Sequence, residues 1–140
     1  LHLKKEFDVE QAPDAAYRSC ARDETLVTLF PETKTEIVES KGERRTLRSH
    51  YTALGQSGVA TFHFTFVPED EVRFEKVCDG RIWRELTGSV RFRRRGKKTR
   101  VRIEMDGRTK SLVPEFTIRS AMKDQLEQMA GALRERLDQT

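Results

Sequence analysis

No run of apolar residues in this chain approaches the ~20 needed to cross a bilayer, which excludes a membrane-spanning helix. Cysteine is scarce: Cys20 and Cys78 stand far apart, and no pairing can be read from their spacing. A disulfide-stapled secreted scaffold is therefore not indicated, and a reduced, cytoplasmic setting is expected. The opening residues lack the basic, apolar and small-residue order of a secretory signal. No Met precedes Leu1, which leaves room for native residues upstream. His2, His50 and His63 share no C-x-x-C or H-x-x-x-H spacing with each other or with the cysteines, so spacing yields no metal site. There is no glycine-rich phosphate loop, and Gly55-Gln56-Ser57-Gly58 lacks the glycine pattern of a nucleophile elbow. No catalytic apparatus and no cofactor are expected from these motifs.

What the chain does hold is mixed charge. Hydrophobic residues make up 36% and charged residues another 36%, yet the formal net charge is only +4. A sheet with one face on a core and one in water gives this balance, because every second strand residue can be charged. A length of 140 residues fits one domain, residues 1–140, with a core large enough to need no staples.

The period of the apolar residues predicts the elements. Residues 1–9 alternate, with Leu3, Phe7 and Val9 on one face and Lys5 as that face's odd member. Pro13, Ala16, Tyr17 and Cys20 then predict a short helix, and a second, roughly 23–29, stops before Pro31. From Thr33 alternation returns, broken at Gly42, at Gly55 with Gly58, at Pro68-Glu69-Asp70, at Asp79-Gly80 and at Gly96. This predicts six further strands, at about 33–41, 43–54, 58–67, 71–79, 81–95 and 99–110. Phe62, Phe64 and Phe66 oppose Thr61, His63 and Thr65, and Val72, Phe74, Lys76 and Cys78 share one face of the next strand. Gly88 interrupts a strand pattern as a bulge would, so either Arg84 or Glu85 is expected to point inward. From Pro114 to about Leu137 the period is helical, through Ile118, Met122, Leu126, Met129, Leu133 and Leu137. Gly131 costs that helix about 1 kcal/mol relative to Ala, which suggests close packing or reserved space.

The element order is α+β: a strand, two short helices, six antiparallel strands and a long C-terminal helix. With the local phrases APDAAY, LFP, CDGRIWRELTGSVRF and TRVRIEMD, it resembles the START-like superfamily, also called SRPBCC, along nearly the whole chain. Gly80, Leu86, Gly88 and Phe92 are similar to the pattern of its coenzyme Q-binding and polyketide cyclase branch, although Val90 stands where many members of that branch carry Trp. The resemblance implies a helix-grip fold, a seven-stranded antiparallel sheet curved around the C-terminal helix, with a cavity between them. It implies an apolar or amphipathic small molecule as ligand, of lipid, quinone or polyketide type. Ala121, Met122, Met129, Ala130 and Gly131, small or flexible groups against an aromatic sheet, agree with such a cavity.

Ser49, Tyr51, Phe62, Phe64, Phe66, Phe74, Lys76, Met122, Leu126 and Met129 are the expected lining, with Tyr51 and a cation able to orient a ligand oxygen. The alternative is a cyclase or dehydratase using Tyr51 or Glu85 as acid or base in the same cavity. A third reading rests on RFRRRGKKTRVR, residues 91–102, where Arg94, Arg95, Lys97 and Lys98 crown a basic hairpin suited to an anionic membrane or to RNA. A merely solvated, edge-protecting face explains the same charges.

Overall fold

The structure, a computed structural model, describes residues 1–31, 33–53, 56–68, 70–79 and 81–138. The turns expected at Gly55, Glu69 and Gly80 lie outside them. Strand β1 is His2–Val9, and helices α1 (Pro13–Cys20) and α2 (Asp23–Leu26) follow. Strands β2 to β7 are Lys34–Lys41, Arg44–Ala53, Gln56–Val67, Glu71–Lys76, Trp83–Arg95 and Lys98–Thr109. Helix α3 is Arg119–Asp138.

The seven strands form one antiparallel sheet in the order β1-β7-β6-β5-β4-β3-β2. Consecutive strands from β2 to β7 pair as hairpins, and β1 pairs with β7, so α1 and α2 carry the chain from one sheet edge to the other. Gly42 and Gly96 make two of the hairpin turns at φ 58° and 61°, where a side chain is strained.

Register places one apolar set on one face. Phe64 lies opposite Phe74, Phe66 opposite Val72, and Val90 opposite Ile103. Against this face α3 lays the row Met122, Leu126, Met129, Leu133 and Leu137, all buried. Burying each such side chain stabilises the fold by roughly 1.5–3 kcal/mol, so the helix is held by its packing.

The structure departs from the sequence expectations at several places, among them α2, which ends at Leu26 and not near residue 29, and β5, which ends at Lys76 and not near residue 79. Gly88 sits in regular register between Phe74 and Met105, and no bulge lies there. It is glycine because the Phe74 ring occupies its side-chain space: a Cβ would lie 2.1 Å from Phe74 Cζ and 2.7 Å from the Glu104 carbonyl. The bulge falls between Trp83 and Glu85, which turns both Arg84 and Glu85 to solvent, so neither joins the inward face. Helix α3 begins five residues after Pro114, because a 3-10 turn at Glu115–Thr117 intervenes. Ala121 and Gly131 face solvent, and a Cβ at Gly131 would meet nothing within 4 Å.

Gly131→Ala is therefore expected to stabilise the protein by about 1 kcal/mol through helix propensity alone. Urea unfolding monitored by circular dichroism measures it. A destabilised variant would show that residue 131 has a packing role.

Candidate functional site

The expected aromatic lining lies in the core and packs ring on ring. Phe30 stacks on Phe62 at 5.1 Å between ring centroids, and Phe64 stacks on Phe74 at 5.4 Å. Phe64 and Met129 have no exposed surface, and Phe66 and Leu126 have little. The space lies instead at the flanks of α3, where its row leaves the sheet.

On one flank a cleft of about 430 Å³ opens between the α2–β2 connection, Tyr51 and the first turns of α3. Phe30, Pro31, Ala121 and Met122 give it an apolar side, with Leu29 buried behind them; Thr33, Tyr51, Asp124, Gln125 and Gln128 give it a polar edge. A second cleft of about 410 Å³ shares Phe30, Pro31 and Thr33 and continues along the helix to Ala132 and Arg136. On the opposite flank a cleft of about 540 Å³ separates β1 from α3, lined by Leu3, Lys5 and Leu126. Lys5, the odd member of its face, reaches across there to Glu127 at 3.1 Å.

Local chemistry explains the first cleft's shape. Tyr51 pairs across strands with Gly58, where a Cβ would lie 2.5 Å from the Tyr51 ring and hydroxyl. The missing side chain lets the ring lie along the sheet, 37% exposed at the cleft. Ser49 does not reach the cleft. It is buried, and its hydroxyl bonds Thr35 at 2.8 Å; Thr35 bonds Thr33 at 3.1 Å, and Thr33 donates to the Phe30 carbonyl at 2.9 Å. This relay fixes the Phe30 turn against the sheet.

Of the expected site residues, Tyr51 and Met122 thus meet in one cleft and Leu126 lines the opposite one. Phe62, Phe64, Phe66 and Met129 line none of these three clefts, nor does Lys76, which is half-buried and acts electrostatically on Asp79. The sequence reading missed Leu29, Phe30, Pro31 and Gln125. The phrase LFP held the signal, but strand alternation could not place a connection on the site.

Glu85 sits outside on the bulge, exposed and 3.8 Å from Arg108, and does not join Tyr51. Both cysteines are free, and burial pushes the Cys20 thiol up to about 12, which keeps it protonated and inert. His2, Glu104 and Asp106, neighbours across β1 and β7, bring ligand atoms within 4.8 Å of one another, a grouping invisible to linear spacing. These groups already pair, His2 with Asp106 at 2.5 Å and Glu104 with Arg102 at 2.5 Å.

The outer sheet face carries the charge. Arg100 binds Asp8 at 3.0 Å and, by that hydrogen bond, holds its carboxyl below the usual range; Lys98 lies 3.4 Å from Glu10. Arg93, Arg94, Arg95 and Lys97 have no carboxylate partner among the described residues. The arginines of this hairpin surround a depression of about 320 Å³. Phe92 turns inward to meet Tyr17 edge-on at 6.0 Å, so it offers no stacking surface to a base. Beside the hairpin Glu71, 2% exposed, is clasped by Arg73 at 2.5 Å and Arg91 at 2.8 Å.

Solved structures share this architecture. A START superfamily protein from Mycobacterium smegmatis is 20% identical, with TM-score 0.75, over 99% of this chain and 97% of its own. An aromatase/cyclase, Zhui from Streptomyces sp. R1128, is 17% identical, with TM-score 0.75, over 98% and 90%. A STAR-related lipid transfer protein fragment from Xanthomonas axonopodis is 16% identical, with TM-score 0.70, over 97% and 85%. No family model matches the chain, and no curated protein matches it in sequence. The chain has the START-like helix-grip fold.

Glu71 yields a pH prediction. Burial opposes its charge, but hydrogen bonds from Arg91 and Arg73 outweigh that and hold its carboxyl below its ordinary value of 4.5. A carboxyl lowered on folding contributes stability above its unfolded pKa and loses it as pH falls through the folded one. Glu71→Gln is expected to cost about 1–3 kcal/mol at neutral pH and to flatten the acid side of the stability profile. An unchanged profile in urea titrations from neutral to acid pH would show that the clasp carries no linkage.

Proposed function

We propose that the chain, acting as one START-like domain in a reduced cytoplasmic setting, binds a small apolar or amphipathic molecule of lipid, quinone or polyketide-like type. The site is the cleft between the Phe30 turn, Tyr51 and α3. The observation that carries this reading is the cleft's composition: an apolar side of Phe30, Pro31, Ala121 and Met122 with hydroxyls from Tyr51 and Thr33 and the amides of Gln125 and Gln128 at its edge. Its volume, about 430 Å³, lies within the range of small-molecule sites. The free cysteines agree with the setting. The relatives in fold support a ligand in general terms, since one is named as a lipid transfer protein and another as an aromatase/cyclase.

Carriage is favoured over cyclisation because an acid and a base must converge on the reacting atoms. Glu85, the expected partner of Tyr51, is on the far side of the sheet. Asp124 is the carboxylate at this cleft, and it stands exposed on the helix.

An environment-sensitive apolar dye titrated into the folded protein is expected to saturate at micromolar concentration. Ala121 is exposed and lines the cleft, so Ala121→Trp fills it without entering the core. That variant is expected to weaken dye binding by roughly tenfold or more, about 1.4 kcal/mol, with circular dichroism and unfolding unchanged. Equal affinity in both proteins would move the ligand elsewhere.

A further inference from the structure

One feature of the surface has no role in the cleft. The segment between β7 and α3 folds as two tight turns, with the Val113 amide donating to Lys110 and the Thr117 amide donating to Pro114. These turns hold Leu112 at 94% exposure and Phe116 at 81%. Ile82, 43% exposed, joins them, since its carbonyl accepts from the Lys110 amide. A group of large apolar side chains this exposed, on backbone that is itself hydrogen-bonded, has the character of an interaction surface.

The surrounding charge is cationic. Asp79 pairs with Arg81 and Glu85 with Arg108, which leaves Glu115 as the one carboxylate within the segment. Arg84, Lys110 and Arg119 remain without a carboxylate partner among the described residues; Arg84 donates only to the Ser111 hydroxyl, at 3.2 Å. An aromatic side chain buries about 150–250 Å². The protruding group therefore falls well short of the roughly 800 Å² per partner of a stable protein complex. A bilayer asks for less: a few apolar side chains at the acyl boundary and cations among anionic headgroups.

We propose that residues 110–119 are a wedge that docks the protein on an anionic phospholipid surface, with Leu112 and Phe116 entering the interface and Arg84, Lys110 and Arg119 meeting headgroup phosphates. The segment runs directly into Ala121 and Met122, so docking brings the cleft's helix wall to the membrane. The wedge does not depend on a ligand occupying the cleft, and failure of either idea leaves the other standing.

Vesicle co-sedimentation at low salt tests it, with phosphatidylcholine alone and with phosphatidylcholine containing phosphatidylserine. Wild type is expected on the anionic vesicles and weakly or not at all on the neutral ones. The double variant L112S/F116S, changed only at exposed positions, is expected to lose at least about tenfold in binding with its circular dichroism unchanged. Charge reversal of Arg94, Arg95, Lys97 and Lys98 on the distant hairpin is expected to cost less. In Phe116→Trp, emission is expected to shift to the blue on anionic vesicles and to be quenched by brominated lipid, while wild type, whose single Trp83 is buried, changes little. Equal binding of L112S/F116S and wild type overturns the proposal. So does loss of binding on hairpin reversal alone. A concentration-dependent dimer in wild type that L112S/F116S abolishes assigns the segment to a second copy instead, and also overturns it.

Discussion

The packing of one apolar helix row into one face of a seven-stranded sheet is the constraint on which the rest of this structure depends. Met122, Leu126, Met129, Leu133 and Leu137 occupy that face along the length of α3. A single helix is narrower than the sheet it lies on, and α3 runs close beside the edge strand β1, so its row leaves part of the sheet's inner face to other elements and to open space. The clefts therefore follow from geometry: one beside β1 and two beside the α2–β2 connection. The candidate site is a margin of the core, and its apolar character is inherited from it.

Aromatic rings set across glycines shape both the interior and the margin. Phe74 occupies the side-chain space of Gly88 in the middle of the sheet, and Tyr51 over Gly58 repeats the device toward the β2 edge. In the first case the ring becomes core; in the second it stays partly exposed because the helix has passed to one side. The relay from Ser49 through Thr35 and Thr33 to the Phe30 carbonyl then fixes the cleft's opposite wall. An apolar wall held by hydroxyl groups keeps its shape without a ligand, which lowers the ordering cost of binding.

Much of the fold was legible because it rests on period. The strand alternation around Phe64 and the three-and-four spacing through Leu126 and Leu133 determine which residues meet the core. Where side-chain identity was decided by a partner across the sheet, period was not enough. Gly88 looked like a bulge in one dimension and proved to be the seat of Phe74; the real bulge at Arg84 had no glycine to mark it. Gly131 suggested space beside the helix and lies on its solvent face. The candidate site was legible only where it touched regular elements, at Tyr51 and Met122. Its remaining wall is a connection, and connections follow no period. Exposed apolar groups such as Leu112 and Phe116 were equally hidden, since a sequence does not say which face of a turn meets water.

Under the proposed function, ligand binds at the flank of the helix and not within the stacked aromatic interior. Amide chemical-shift mapping during titration of an apolar ligand tests it most directly. Shifts concentrated at Leu29, Phe30, Thr33, Tyr51, Ala121, Met122 and Gln125, with the hairpin at residues 91–102 silent, are the result the account predicts. Shifts concentrated at Phe64, Phe74 and Met129 would contradict it, because they would mean that the interior opens to admit the ligand.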